Sequence, residues 1–326
     1  MPYKLKNLYR HKFPRVKYKV SNWPEYNKSL KNRDSLTIWI SEDAIKTWNP
    51  EIINKKKGGQ IKYSDLAIET ALTIRKVYNL KLRQTEGFLK SIIALLNINI
   101  QIPDYTTICK RAKLLKINIG NRRKGEPLHI IVDSTGVSVE NQSEWYETKY
   151  GNRKRKMRTY RLFHIAIDER TGEIISCKLT TNKVSDHSQV PILLEKIDED
   201  IASFTADGTY DKPDIYDFLK GYKLNTPYTV IIPPRKDCHL SKTIKTNPTI
   251  RDQNLLFIQR HGRMIWQKHF AYNKRSKVEN TFFRYKVNLG EKLYSKIFES
   301  QEVESKIGCK IINKMTKMGM PISYRV

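Results

Sequence analysis

Three acidic residues stand where a carboxylate is hard to keep without a cation. Asp133 lies near the middle of the apolar run His129-Ile130-Ile131-Val132-Asp133-Ser134-Thr135-Gly136, and Asp207 closes Thr205-Ala206-Asp207 before a glycine. Glu279 belongs to a charged stretch from Tyr272 to Lys286. Acids on or at the end of hydrophobic strands are costly to bury unless paired, hydrogen-bonded or bound to metal. Two strand acids and one helix acid can converge from different parts of one layer. Such an all-oxygen donor set suits hard divalent ions, one activating an attacking oxygen and one stabilising a leaving oxygen in phosphodiester chemistry. Without cations, three gathered carboxylates repel and at least one pKa rises. Each acid alone also has a plain reading: Asp-Ser and Asp-Gly are common turn pairs, and Glu279 can pair with Arg275 on an ordinary charged helix face.

Spacing sharpens the third acid. On a helix of about 100° per residue, Tyr272, Arg275 and Lys286 fall within roughly 40° of Glu279. One face then carries an aromatic, two cations and an acid, while Val278, Phe282, Tyr285 and Leu289 form a neighbouring apolar stripe for packing on a sheet. The cations suit DNA phosphates and developing negative charge. Glu291, twelve residues on, is too far round and along the helix to replace Glu279.

The elements that must position these acids follow from periodicity. Strands are predicted over 128–139, 161–167 and 173–181, with Arg170-Thr171-Gly172 as a hairpin turn between the last two. A helix over 186–197, a strand over 203–206, a helix over 212–219 and a strand over 228–232 come next, before the long helix bearing Glu279. Three strands, then alternating helix and strand, then a helix is the order of a ribonuclease-H-like α/β layer of the retroviral-integrase type. The basic run at 121–125 marks a boundary, dividing the chain into 1–124 and a catalytic 125–326.

The N-terminal part reads as mostly helical. Residues 36–40 read as a short strand. Helices follow behind Ser64, from Leu82 to Leu96, and behind Asp104, where Lys110, Arg111 and Lys113 alternate with apolar residues. Residues 82–116 suit a helix-turn-helix whose last helix enters a major groove. A plain three-helix bundle with a solvated basic face is the alternative, and the long connector at 97–103 counts against the motif.

A formal charge of +28, from 61 Lys and Arg against 33 Asp and Glu, points to a polyanionic partner and foremost to nucleic acid. The run holding Arg153, Lys154, Arg155 and Lys156, flanked by Tyr150 and Tyr160, is read as a grip on a DNA backbone beside Asp133. The start of the sequence lacks a signal-peptide core, no apolar run spans a bilayer, and four scattered cysteines suit the cytosol. Zinc binding at Cys238-His239 with His261 or His269 lacks the usual spacing. His164 and His187 are read as structural, and Trp266 as core rather than a base-stacking platform.

These segments resemble the catalytic blocks of the DDE transposases of bacterial insertion sequences, most closely the insertion-sequence-five family and its nine-oh-three subgroup. The Tyr, Arg, Glu and Lys at 272, 275, 279 and 286 match the shared signature at every position. Blocks at 22–26, 63–72, 82–88, 103–107 and 232–236 extend the similarity over nearly the whole chain. The resemblance implies that Asp133, Asp207 and Glu279 bind two Mg²⁺ or Mn²⁺ ions. It implies that Arg275 and Lys286 contact terminal DNA with Tyr272 supporting the same face, and that the N-terminal region recognises terminal inverted repeats. The expected activity is metal-dependent strand cleavage and transfer of a 3′-hydroxyl into target double-stranded DNA. A homodimer or higher assembly is expected because two ends must be held, and a bacterial cytoplasmic, nucleoid-associated location follows. The alternatives are a catalytically silent DNA-binding protein, such as a domesticated transposase or repressor, and a ribonuclease-H-like nuclease without strand transfer. A basic RNA-associated protein accounts for the charge but not for the acids.

Overall fold

The computed structural model describes residues 17–50, 61–119, 126–140, 160–222, 228–235, 237–242, 244–246 and 248–326. The N-terminal part holds strand β1 (Tyr18–Val20) and helices α1 (Trp23–Asn32), α2 (Leu36–Trp39), α3 (Glu42–Lys46), α4 (Asp65–Val77), α5 (Leu82–Leu95) and α6 (Tyr105–Ala112). Strands β2 (Leu128–Val139), β3 (Tyr160–Asp168) and β4 (Ile174–Thr181) follow, then α7 (Val190–Leu194), β5 (Ile201–Thr205), α8 (Pro213–Gly221) and β6 (Thr229–Ile231). The remainder comprises α9 (Ile250–His261), α10 (Arg263–His269), α11 (Ser276–Leu289), β7 (Lys292–Leu293), α12 (Phe298–Met318) and β8 (Ser323–Arg325).

The main sheet runs β4-β3-β2-β5-β6, with β7 also paired to β2, and β1 pairs separately with β8. Strands β2, β3 and β4 are antiparallel neighbours, whereas β5 lies parallel to both β2 and β6. This mixed order fits a ribonuclease-H-like sheet. The β3–β4 turn is the expected one: Gly172 has φ +71°, and Thr171 donates its N–H to the Asp168 carboxylate at 3.0 Å.

Alternation along β2 sets the layers, because successive side chains leave opposite faces of a strand. Ile130 and Val132 join Leu193, Leu194 and Ile215 on one face. Ile131 and Val137 join Val278, Phe282, Ile307 and Ile311 on the other. Helices α4, α5 and α6 bring Ile68, Ile74, Leu89 and Ile108 into that second core. A boundary near residue 124 therefore separates stretches of sequence that share one hydrophobic core. Among the described residues no helix is long and apolar enough to cross a membrane.

Helix starts follow local chemistry. The Ser64 hydroxyl accepts from the Ala67 N–H at 3.1 Å to cap α4. The Asp104 carboxylate accepts from the Thr106 and Thr107 N–H groups at 2.9 and 3.0 Å to cap α6. The strand expected over 36–40 is instead one helical turn, closed by the Ile40 N–H onto the Leu36 carbonyl at 3.0 Å. Burial of Trp39, whose indole N–H reaches the Arg33 carbonyl at 2.7 Å, overrides the short apolar alternation. The helix expected over 186–197 begins as a 3-10 turn at His187–Gln189.

Helix α12 is fixed from three sides. The Asn313 side-chain amide donates to the Ile174 carbonyl at 2.8 Å and accepts from its N–H at 2.7 Å, which satisfies the sheet edge. Gly308 gives the Tyr285 ring of α11 its room, since a Cβ there would collide with that ring. Glu304 meets Lys76 of α4 at 3.1 Å, both almost wholly buried. Burial alone would raise the Glu304 pKa, but Lys76, Arg75 and the Tyr294 N–H hold it below the usual range.

A buried pair broken from one side leaves an uncompensated charge, costing about 3–5 kcal/mol. Glu304→Gln is therefore expected to lose that much stability in urea unfolding. Glu42→Gln, which breaks an exposed pair with Lys46, is expected to stay within about 0.5 kcal/mol of the parent.

Candidate active site

Asp133 shares the parity of Ile131 and Val137 on β2, so its carboxylate leaves the sheet on the side covered by α11. One oxygen accepts the Ser134 N–H at 2.8 Å, and the other accepts the Arg275 guanidinium at 3.0 Å. The same guanidinium bonds Glu279 one turn along α11. Arg275 thus bridges the first and third acids predicted from the sequence. Its side chain and that of Asp133 are each 17% exposed, whereas Glu279 is 47% exposed. Asp207 lies just past the end of β5, the strand parallel to β2. Its carboxylate accepts the Thr209 N–H at 2.8 Å and caps the 3-10 turn Gly208–Tyr210.

The electrostatics reflect this gathering. Burial pushes the Asp133 carboxyl up to about 6, and Asp207 and Glu279 add to the rise against the pull of the Ser134 N–H and Arg275. The Tyr272 hydroxyl rises to about 12, chiefly through burial, with Arg275 opposing and Asp207, Asp133 and Glu279 assisting. Tyr210, buried and absent from the sequence-level reading, is raised by burial and by Asp186, Asp133 and Asp207. Its only sequence signal was its place within the run that carries Asp207.

The segment before α11 differs from a continuous helix. Ala271 adopts a left-handed φ of +49°, and Tyr272–Arg275 forms a 3-10 turn. This break lets Tyr272 pack on Trp266, with ring centroids 5.6 Å apart. Trp266 is fully buried and donates its indole N–H to the Asn254 side chain at 3.0 Å, as a core residue would. The turn is tied to the sheet because Lys274 and Lys277 both pair with Glu169, at 3.0 and 3.7 Å. An open cleft beside it is lined by Met264, Gln267, Lys268, Tyr272, Arg275 and Glu279.

The other predicted residues lie apart from this centre. Lys286 sits seven residues beyond Glu279, about 10 Å along α11. Lys110 and Lys113 are exposed at the end of α6. Arg111 is engaged within the fold: its guanidinium donates to the Tyr63 carbonyl at 3.1 Å and pairs with Asp65. Arg153, Lys154, Arg155 and Lys156 lie outside the described residues. His164 is buried in β3 against the Thr180 hydroxyl at 2.8 Å. Cys238, weighed as a zinc ligand, faces Asp211 and Arg251.

The donor chemistry fits hard divalent cations: two carboxylates already converge on one guanidinium, and a third lies near enough to raise the pKa of the first. Among the described residues, no three His, Cys, Asp or Glu side chains are set closely enough to hold an ion as they stand.

A ribonuclease-H-like sheet with one acid on a strand, one just past the end of the adjacent parallel strand and one on a covering helix defines a class of nucleic-acid-processing enzymes. Comparison with known families narrows it. Residues 124–313, more than half of the chain, match the family described as transposase DDE domain, and residues 31–142 match a second family of the same description. The chain belongs to the DDE-domain transposases, and this membership implies a DNA-cleaving enzyme. Among solved structures, the cryo-EM structure of the piggyBac transposase synaptic complex with hairpin DNA is similar at 11% identity and a TM-score of 0.41. The alignment covers 88% of this chain and 73% of that one. A likeness that slight carries no inference about partner or reaction.

The raised pKa of Asp133 has a measurable consequence in the metal-free protein. Its folded-state carboxyl titrates near about 6, against about 3.9 for an unfolded Asp. The native chain thus holds the extra proton between those values, and stability falls as pH rises through that window. Asp133→Asn removes this loss. With chelator present, urea unfolding is expected to shift in the variant's favour from about pH 4 to about pH 6 and stay level above. A difference independent of pH would contradict the raised value.

Proposed function

We propose that this transposase binds the terminal inverted repeats of an insertion sequence, nicks DNA at the element ends, and joins the freed 3′-hydroxyl to target DNA. The observation that carries the reading is the convergence of Asp133 and Glu279 on Arg275, with Asp207 close enough to act on Asp133. Asp133, Asp207 and Glu279 would hold two Mg²⁺ or Mn²⁺ ions, which supply activation of the attacking oxygen and stabilisation of the leaving oxygen. Arg275, once displaced from the acids, is placed to take a DNA phosphate, with Tyr272 packed behind it. Lys286 lies two turns beyond Glu279 on α11. We further propose that the chain belongs with the insertion-sequence-five group and acts in a bacterial cytoplasm.

The N-terminal region, 1–124, is proposed to read the repeats, with α5 and α6 as the helix pair and Lys110 and Lys113 as phosphate contacts. Arg153, Lys154, Arg155 and Lys156 are proposed to grip the backbone near Asp133. Arg111 supports the same surface by fastening α6 to the start of α4. At least two subunits are proposed in the DNA complex, because two ends must be held together.

The test is incubation of the full chain with end-containing DNA and Mg²⁺. Nicks at the repeat boundary are expected, and Asp133→Ala, Asp207→Ala and Glu279→Ala should each reduce them to background while retaining DNA binding. Transposition preserved by any one of these variants would exclude the three-acid mechanism and favour a silent DNA-binding protein. Cleavage without strand transfer would favour a nuclease.

Phosphate contacts are read separately from salt dependence. Lys110→Ala and Lys113→Ala should each flatten the plot of log affinity for end DNA against log salt by about 0.9. Unchanged slopes would remove α6 from the interface.

A further inference from the structure

Asp207 owes its orientation to a short turn, and the far end of that turn is a second buried acid. The carboxylate of Asp207 caps Gly208–Tyr210, and the next residue, Asp211, has a side chain with no exposed surface. Asp211 accepts the Arg235 backbone N–H at 3.0 Å, the Tyr216 hydroxyl at 3.1 Å and the Cys238 thiol at 3.0 Å. Arg251 adds two further donors, Nε at 2.8 Å and Nη2 at 3.3 Å. So many donors hold the Asp211 carboxyl below its ordinary range in spite of burial.

The other side of the turn is closed by backbone. The Arg235 Nε donates to the Gly208 carbonyl at 3.3 Å, and a Cβ at Gly208 would sit 3.3 Å from the Pro233 carbonyl oxygen. The turn after Asp207 is therefore pressed against 233–235 and locked there through Asp211.

Arg251 carries the constraint onward. It belongs to the first turn of α9, and Asn254 on the same helix takes the Trp266 indole N–H at 3.0 Å. Trp266 packs on Tyr272, three residues before Arg275. Arg263, at the start of α10, donates to the Pro234 carbonyl at 2.7 Å, which closes the circuit. A single buried ion pair thus joins the support of Asp207 to the segment that leads into Glu279.

We propose that Asp211 and Arg251 form a positioning pair that fixes the Asp207 carboxylate relative to Glu279. The proposal rests on the three-acid reading, because positioning matters only if Asp207 and Glu279 share cations. Groups that orient metal ligands without touching the metal typically cost about 10–100-fold in metal affinity or activity when replaced.

The experiment compares full-length Asp211→Asn, Arg251→Lys and Arg251→Gln with Asp207→Asn. Each is measured for thermal midpoint, DNA-end affinity, Mn²⁺ affinity by calorimetry, and nicking rate across a Mg²⁺ titration. Asp211→Asn is expected to bind DNA ends as the parent does but to lose about 10–100-fold in Mn²⁺ affinity. Its nicking rate should recover at high Mg²⁺. Arg251→Gln should behave alike, and Arg251→Lys, which keeps the cation without the two-donor fork, should rescue part of the loss. Parental Mn²⁺ affinity in a folded Asp211→Asn overturns the proposal. If that variant does not fold, parental affinity in Arg251→Gln, at a side chain that reaches the surface, overturns it equally. Should Asp207→Asn itself keep parental Mn²⁺ affinity and nicking, the three-acid reading fails. Loss in Asp207→Asn alone leaves that reading standing and removes only the positioning pair.

Discussion

Asp133 is a mostly buried carboxylate on the face of a sheet, and Arg275 is the cation that makes this tolerable. Burial favours the protonated acid, while the guanidinium holds the charged form by meeting Asp133 on the sheet and Glu279 on the helix at once. One side chain thereby registers α11 against β2. The rest of the centre is built around that registration. Glu169 pins the start of α11 through Lys274 and Lys277, and Gly308 lets α12 press close enough to hold α11 from behind.

The same bridge has a chemical meaning. A guanidinium offers fixed positive charge in a planar fork, so one side chain balances two acids. Arg275 serves the protein as counter-charge to Asp133 and Glu279 at once.

Much of this was legible from residues alone. The apolar run around Asp133 and the strand ending on Asp207 marked two strands, and the order of elements along the chain fitted a ribonuclease-H-like layer, whereas the order of strands within the sheet depends on long-range pairing. The Arg275–Glu279 pair followed from helical spacing. Misreadings arose where tertiary contacts overrule local pattern. Residues 36–40 alternate like a strand, yet Trp39 is drawn into the core as part of a helical turn. Tyr272 was placed on a regular helix, but the left-handed Ala271 and the packing of Trp266 bend the entry into a 3-10 turn. Arg111, read as a DNA contact, also ties α6 to Tyr63 and Asp65, a role that spacing alone does not show. Nothing local marks Arg251 as the partner of Asp211, since the two are distant in sequence and meet only because β6 returns the chain to the end of β5.

The core shared by α4–α6, α11, α12 and one sheet face bears on how such a protein can change over time. Here Ile68, Leu89 and Ile108 pack in the same interior as Phe282 and Ile311, and Lys76 of one part neutralises Glu304 of the other. A chimera joining the front of one relative to the back of another would inherit mismatched volumes and a stranded charge. The two parts are therefore expected to descend together as one unit of inheritance.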